Sequence, residues 1–217
     1  MIRRIVTPDM AELPDAEGRL TAPAAARNLE PILAALLPRL PRAGDVLELA
    51  SGTGQHVAAL AAHRPDLRFH PTDPDPIRRV SIDLRCRGLP NVSEAGDIDA
   101  GRPGWAIAGA SETILVINLL HLISDAEMSV LLDEAARALA PGGRLAIYGP
   151  FLRGGAAVSA GDRAFDRSLR AQDPAIGYKD AGAVETVLAV LDLEVERLEM
   201  PANNLMIFGR APQVAGL

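Results

Sequence analysis

Cysteine, lysine, aromatic side chains and long apolar runs are all scarce in this chain, and each scarcity closes off a class of function. The single Cys86 excludes an internal disulfide framework and any cysteine-built metal cluster, which suits a reducing compartment; its plainest role is packing within a helix. The histidines show no spacing with acidic residues that would ligate a metal, and no Ser-His-Asp arrangement stands out, so no metal is expected. Lys179 is the sole lysine, and a net charge of -6 has the wrong sign for a broad nucleic-acid footprint. The longest apolar tract, 114–123, holds Asn118 and His121 and is too short to span a bilayer. The stretch 1–14 carries Arg3 and Arg4 without the apolar core of a secretion signal. Neither membrane association nor export is expected; a cytoplasmic location is.

What the chain does have is alternation of apolar strands with amphipathic helices. Its 217 residues and 48% hydrophobic content suit one domain with an extension. Residues 1–40 read as an N-terminal arm and a helix packing on the core, and 41–217 as the main domain. In the arm, Leu29, Ile32, Leu33, Leu36, Leu37 and Leu40 recur at helical spacing, with Asn28 placed to cap that helix and Pro31 in its first turn. Strands are expected at 46–49, 67–72, 91–96, 111–119 and 144–149, and helices through 55–63, 77–84 and 128–139. Ser124 and Glu127 form a capping-box pattern before the last of these. Such alternation predicts a Rossmann-like α/β fold, a doubly wound and mostly parallel sheet of about seven strands. The connection 200–204 is far shorter than the dozen or so residues a parallel crossover needs, so the last two strands, 193–199 and 205–208, must close the sheet as an antiparallel hairpin.

The segment 151–177 is the least regular. Tyr148, Phe151, Phe165 and Tyr178, most of the few aromatics, fall in or beside it, which reads either as a lid or substrate wall or as plain core packing.

The feature with chemistry in it is Glu48-Leu-Ala-Ser-Gly-Thr-Gly-Gln-His56, a short strand ending in an acid and passing through a small-residue turn into a helix. Gly52 and Gly54 allow close backbone approach to a ligand, and the helix start supplies free amides. Val57 stands where a dinucleotide fingerprint requires a third small residue, and no Gly-Lys-Ser/Thr ending makes a P-loop. Asp73 follows Gly54 at about the twenty-residue interval at which a carboxylate meets ribose hydroxyls. Asp75 is the alternative, and either acid can instead cap the next helix. Glu48 would repel a phosphate and suits a ligand with an amine. His56 lies in the same turn as a cofactor contact or a helix cap. His121, after Asn118, is a candidate general base or a structural histidine.

These elements resemble the class I S-adenosylmethionine-dependent methyltransferases, with Ala50 standing where their first motif carries its first glycine. Arg27-Asn-Leu-Glu-Pro-Ile-Leu33, the Glu48–His56 turn, Pro71-Thr-Asp-Pro-Asp75, Tyr148-Gly-Pro-Phe151, Phe165-Asp166 and Met200-Pro-Ala-Asn-Asn-Leu205 together resemble the methyltransferase-like protein 26 family. The likeness spans about 21–210; Arg163 replaces an Asn that the family often carries. It implies S-adenosylmethionine as cofactor, held by Arg27, Glu48, Ala50, Gly52, Gly54, His56, Asp73, Asp97 and Asn118. It implies a small-molecule acceptor near Asn28, Phe151, Phe165, Arg170 and Asn203, with His121 and Tyr148 as catalytic candidates. Arginines on that side would favour an acidic acceptor. A non-catalytic cofactor-binding module and a nucleotide-dependent reductase are the alternatives.

Overall fold

The computed structural model describes residues 13–213, and the chain divides into two compact units at Asp99 and Ala100. The first unit opens with a small antiparallel hairpin, β1 (Leu13–Pro14) and β2 (Leu20–Thr21), where the sequence predicted an arm without regular structure; the rest of that arm, 1–12, lies outside the described residues. Then follow α1 (Pro23–Leu36), β3 (Gly44–Leu49), α2 (Gln55–His63), β4 (Leu67–Pro71) and α3 (Pro76–Cys86). α2 is the crossover that sets β3 and β4 parallel, with Val46 opposite Phe69 and Glu48 opposite Pro71. Val46, Leu49, Val57, Leu60, Phe69 and Ile82 are fully buried between strands and helices. Both strands therefore stop together, which brings Glu48 and the Asp73 turn to one carboxyl edge.

Two expectations fail here. α1 starts near Pro23, well before Asn28, because a proline is pre-organised for the first helical turn and the alanines after it are strong helix formers. Asn28 is thus an interior position and not the cap. The expected strand at 91–96 forms only two isolated parallel bridges, Phe69 to Val92 and Thr72 to Gly96. One more residue lies between the second members of those bridges than between the first, so the pairing bulges and a regular ladder cannot form. The Asn91 amide anchors this segment on the Ala61, Arg64 and Leu67 carbonyls.

The second unit contains β5 (Ser111–Ile117), α4 (Asp125–Ala138), β6 (Leu139–Leu152), α5 (Ala160–Gln172), β7 (Lys179–Asp180), α6 (Ala181–Val190), β8 (Glu194–Glu199) and β9 (Asn204–Arg210). β5 and β6 are parallel, β9 runs antiparallel to β6, and β8 antiparallel to β9, as the short final connection required. β6 begins earlier than predicted. Pro141-Gly-Gly143, between the expected helix and strand, forms an irregularity inside β6, where a Cβ on Gly143 would lie 2.7 Å from the Ala140 carbonyl oxygen. The Ser124/Glu127 capping box at the start of α4 is present. Counted over both units the sheet has seven strands, mostly parallel with an antiparallel C-terminal pair. Its membership differs from the expected one: the 91–96 segment drops out and the short β7, paired to the end of β6, comes in. No helix among the described residues is long and apolar enough to cross a membrane.

Candidate functional site

In the first unit the turn after β3 is built by backbone conformations that few residues accept. Ala50, Gly52 and Gly54 all have positive φ, 53°, 59° and 79°. Ala50 pays a steric cost that glycine would avoid at the same position, yet the turn is retained. A Cβ on Gly52 would meet only the Ala50 carbonyl oxygen, 4.0 Å away, so the space beside this residue is open. Gly54 is glycine for another reason. A Cβ there would lie 2.9 Å from the Ile82 Cα, so its missing side chain lets α3 pack against the start of α2 rather than clearing room for a ligand. The Thr53 carbonyl accepts from Ser81 Oγ at 3.1 Å and Arg85 Nε at 3.0 Å, and Ser81 and Arg85 in turn hold the Leu20 backbone. The turn is clamped from α3 by residues that carry no sequence signal of function.

Two carboxylates line this edge, and they differ. Asp73 accepts from the Gly52 amide at 3.0 Å and the Asp75 amide at 2.9 Å, with Arg78 Nη1 at 3.9 Å. Asp75 instead caps α3 through the Ile77 amide at 2.8 Å, which separates the two candidates: Asp73 faces the turn. Burial raises the Asp73 pKa despite these donors. Glu48 is 1% exposed, and its Oε2 is buried without a hydrogen-bond partner. Burial pushes its pKa up to about 8, opposed by a Ser51 hydroxyl and reinforced by the charge of Asp73. The Glu48 backbone carbonyl, by contrast, is well used, accepting from Thr72 N at 2.9 Å and Thr72 Oγ1 at 2.8 Å. Only its side chain is left wanting.

Other candidates of this unit fare unevenly. His56 Nε2 lies 2.9 Å from Asn28 Oδ1, so two residues predicted for different ligands bond to each other; burial lowers His56 to about 4 and keeps it neutral. Arg27 is on the exposed side of α1. Asp97, expected among the cofactor contacts, is 70% exposed and pairs with Arg79 at 3.2 Å, and Arg79 also holds the Asp73 and Pro74 carbonyls. That pair braces the Asp73 turn.

The second unit assembles the acceptor-side candidates. Asn118, at φ 56°, ends β5 and donates its amide to the Tyr148 carbonyl at 2.8 Å. A Cβ on Gly149 would lie 3.8 Å from both Asn118 Oδ1 and His121 Nδ1, placing these side chains together at the end of β6. His121, Phe165 and Tyr178 form a three-ring cluster with centroids 5.9, 6.1 and 6.0 Å apart. The rings interlock at tilted angles, as aromatic packing favours. Burial, with the charge of Lys179, lowers His121 to about 4, so it is a neutral imidazole and not the base poised near neutrality that its type suggested. Tyr148 is 3% and Phe151 2% exposed, both buried within β6.

Arg170, the arginine expected on the acceptor side, is engaged within the protein, and so is Arg153 nearby in the sequence. Arg170 pairs with Asp166 at 3.1 Å and donates to the Tyr178 carbonyl, while Arg153 pairs with Glu199 at 2.8 Å. Gly177 has φ 133°, which side chains rarely adopt, and a Cβ there would lie 2.7 Å from both Arg170 Cζ and Asp166 Oδ1. Asn203, at φ 61°, donates to Asp162 Oδ2 at 3.0 Å, and Asp162 also closes the α5 capping box with Ser159. Burial raises the Tyr178 phenol above its ordinary range, and Asp162 and Asp166 add to it. Asp162 went unremarked in the sequence, although the Ser159 to Asp162 spacing is a readable cap pattern; Asp166 entered there only as part of the Phe165-Asp166 pair.

A family model described as a protein of unknown function (DUF938) matches residues 19–210. The chain belongs to the DUF938 family. Solved structures similar to this DUF938 chain include methyltransferases. An O-methyltransferase family protein from Burkholderia thailandensis is 18% identical with a TM-score of 0.77, covering 88% of this chain and 58% of that one. Human N-acetylserotonin methyltransferase in complex with SAM is 14% identical at a TM-score of 0.72, covering 88% and 53%. An O-methyltransferase family 2 protein from Planctomyces limnophilus, solved with apigenin, is 20% identical at 0.66, covering 90% and 62%. The DUF938 chain has their fold and spans between 53% and 62% of their length.

Proposed function

We propose that this chain binds S-adenosylmethionine and transfers a methyl group from it to a small molecule. The observation that carries the reading is the orphaned Glu48 Oε2, a buried acceptor beside the open face of Gly52 and the turn-facing Asp73. A buried acceptor lacking a donor is costly. A cofactor with an ammonium group and no phosphate meets that need, whereas a dinucleotide would bring phosphate to two acids. Glu48 would hold the ammonium, the Gly52 region the methionine backbone, and Asp73 the ribose hydroxyls through the lone pairs its two backbone bonds leave over. The bound cofactor supplies a methyl group activated on a sulfonium. The chain's own work is then to orient an acceptor and exclude water. His121, as a neutral imidazole, is suited to accepting one hydrogen bond and orienting a hydroxyl or amine. The resemblance to the methyltransferase-like protein 26 family supports the same cofactor.

The test is a melting curve with S-adenosylhomocysteine. A rise in Tm at saturating ligand is expected, strongly reduced in Asp73→Asn; an unchanged curve would sink the reading. A second reading, a cofactor-binding module without transferase activity, is favoured by the burial of His121 and Tyr148, 6% and 3% exposed. Binding without methyl transfer across a broad metabolite panel would select it.

A further inference from the structure

We propose that Glu48 is a proton-exchange position that selects the ligand: it carries a proton until the ammonium of an amino-acid-bearing nucleoside arrives, and then gives that proton up. The inference deepens the proposed function and rests on it. Its footing is geometric. Glu48 is 1% exposed and Oε2 has no partner. The groups that face it are of the wrong kind to keep it ionised: Ser51 in the turn is neutral, Asp73 at the end of β4 is a second acid, and Cys86 on α3 is a thiol whose pKa rises, first through burial and then through the Glu48 charge. The cations at this edge are directed elsewhere: Arg78 at Asp73, 3.9 Å away, Arg79 at the Asp73 and Pro74 carbonyls and at Asp97, and Arg85 at the Thr53 and Leu20 carbonyls. A buried carboxylate in those surroundings is more stable as the neutral acid, in keeping with a value pushed up to about 8.

An ammonium placed against Oε2 reverses the balance, because an opposite charge at contact favours the ionised form. The exchange is balanced as written. The Glu48 O–H bond breaks, its proton leaves to the buffer, and the carboxylate pairs with an ammonium that keeps its own protons. A ligand with the adenosine part but no ammonium gives Glu48 no reason to ionise. Glu48 therefore discriminates by charge, while Asp73 and the turn recognise the nucleoside part common to both.

Calorimetric titrations in buffers of different ionisation enthalpy test this, with S-adenosylhomocysteine and 5'-methylthioadenosine, which lacks the amino-acid group, as probes. Near pH 7 the first should release about one proton per molecule bound and the second none. Release should fade above pH 8, and the affinity for S-adenosylhomocysteine should rise up to tenfold per pH unit between pH 6 and 8. Glu48→Gln should bind it more weakly, release no proton and lose that pH dependence. Binding of S-adenosylhomocysteine to the unaltered protein without net proton release would overturn the proposal while leaving the methyltransferase reading intact; no binding at all would sink both. A ligand-free infrared difference spectrum, unaltered protein minus Glu48→Gln at pH 7, should show a protonated carboxyl band, and its absence would overturn the proposal independently of any ligand.

Discussion

The turn of the first unit and the wall of the second are built on opposite principles. At the turn, backbone conformation is tightly specified and one carboxyl is left unmatched: Glu48 Oε2 has no donor, and Gly52 has open space beside it. In the wall, charge is matched within the protein: Arg170 by Asp166, Arg153 by Glu199, Lys179 by Asp125, and Asp162 by Asn203 and Ser159. The first arrangement leaves a buried acceptor without a donor from the protein. The second is a self-satisfied scaffold whose rings and hydrogen bonds give shape, so it says little about the acceptor.

Glycine substitutions offer the sharpest way to break this comparison. Gly54→Ala should be the most damaging, because its Cβ would press on the Ile82 backbone and left-handed φ adds strain. A loss on the order of 3 kcal/mol is expected from overpacking, read as a fall in Tm or in the denaturant midpoint. Gly52→Ala should cost only about 1 kcal/mol, the strain of a positive φ, and act chiefly on S-adenosylhomocysteine affinity. Equal stability losses for the two would dissolve the distinction between a packing glycine and a ligand-facing one.

Titration separates the regions next. Glu48 has a folded pKa raised to about 8, so its contribution to stability is complete below about pH 4.5 and is lost as pH rises through 8. His121 has a folded pKa lowered to about 4, so folding stability falls on its account as pH drops from about 6.5 toward 4. Denaturant unfolding from pH 5 to 9 should therefore show Glu48→Gln gaining on the unaltered protein as pH rises. His121→Gln should gain on it as pH falls from 6.5. A pH-independent offset in both variants would contradict the assigned burial of these groups.

The smallest effect is expected at the latch of the wall. Asn203→Ala removes one exposed hydrogen bond to Asp162 and should lower stability by about 1 kcal/mol, with little change in affinity for S-adenosylhomocysteine. A large loss of that affinity would mean the wall shapes the cofactor site after all.

The legible parts of the sequence were those governed by local rules. Strand-to-helix alternation, the Ser124/Glu127 cap, the helix at 55–63 and the antiparallel ending forced by a short connection all depend on near neighbours. The Glu48–His56 turn was readable for the same reason, since small residues, an acid and a helix start sit side by side. Long-range pairing was not readable. Nothing local says that a bulge denies the 91–96 segment a ladder, that β7 joins the sheet, or that Asn28 meets His56.

The sequence by itself determined the class of fold and the position of the Glu48–His56 turn, because periodicity and turn chemistry are written in adjacent residues. Tertiary structure alone decided which acid faces that turn and which only caps a helix, and which glycine borders open space and which clears a helix. It also decided that the histidine beside the aromatic rings is buried and neutral. Each of these depends on burial and on contacts between residues distant in the chain, and burial is what sets the protonation state of an ionisable group.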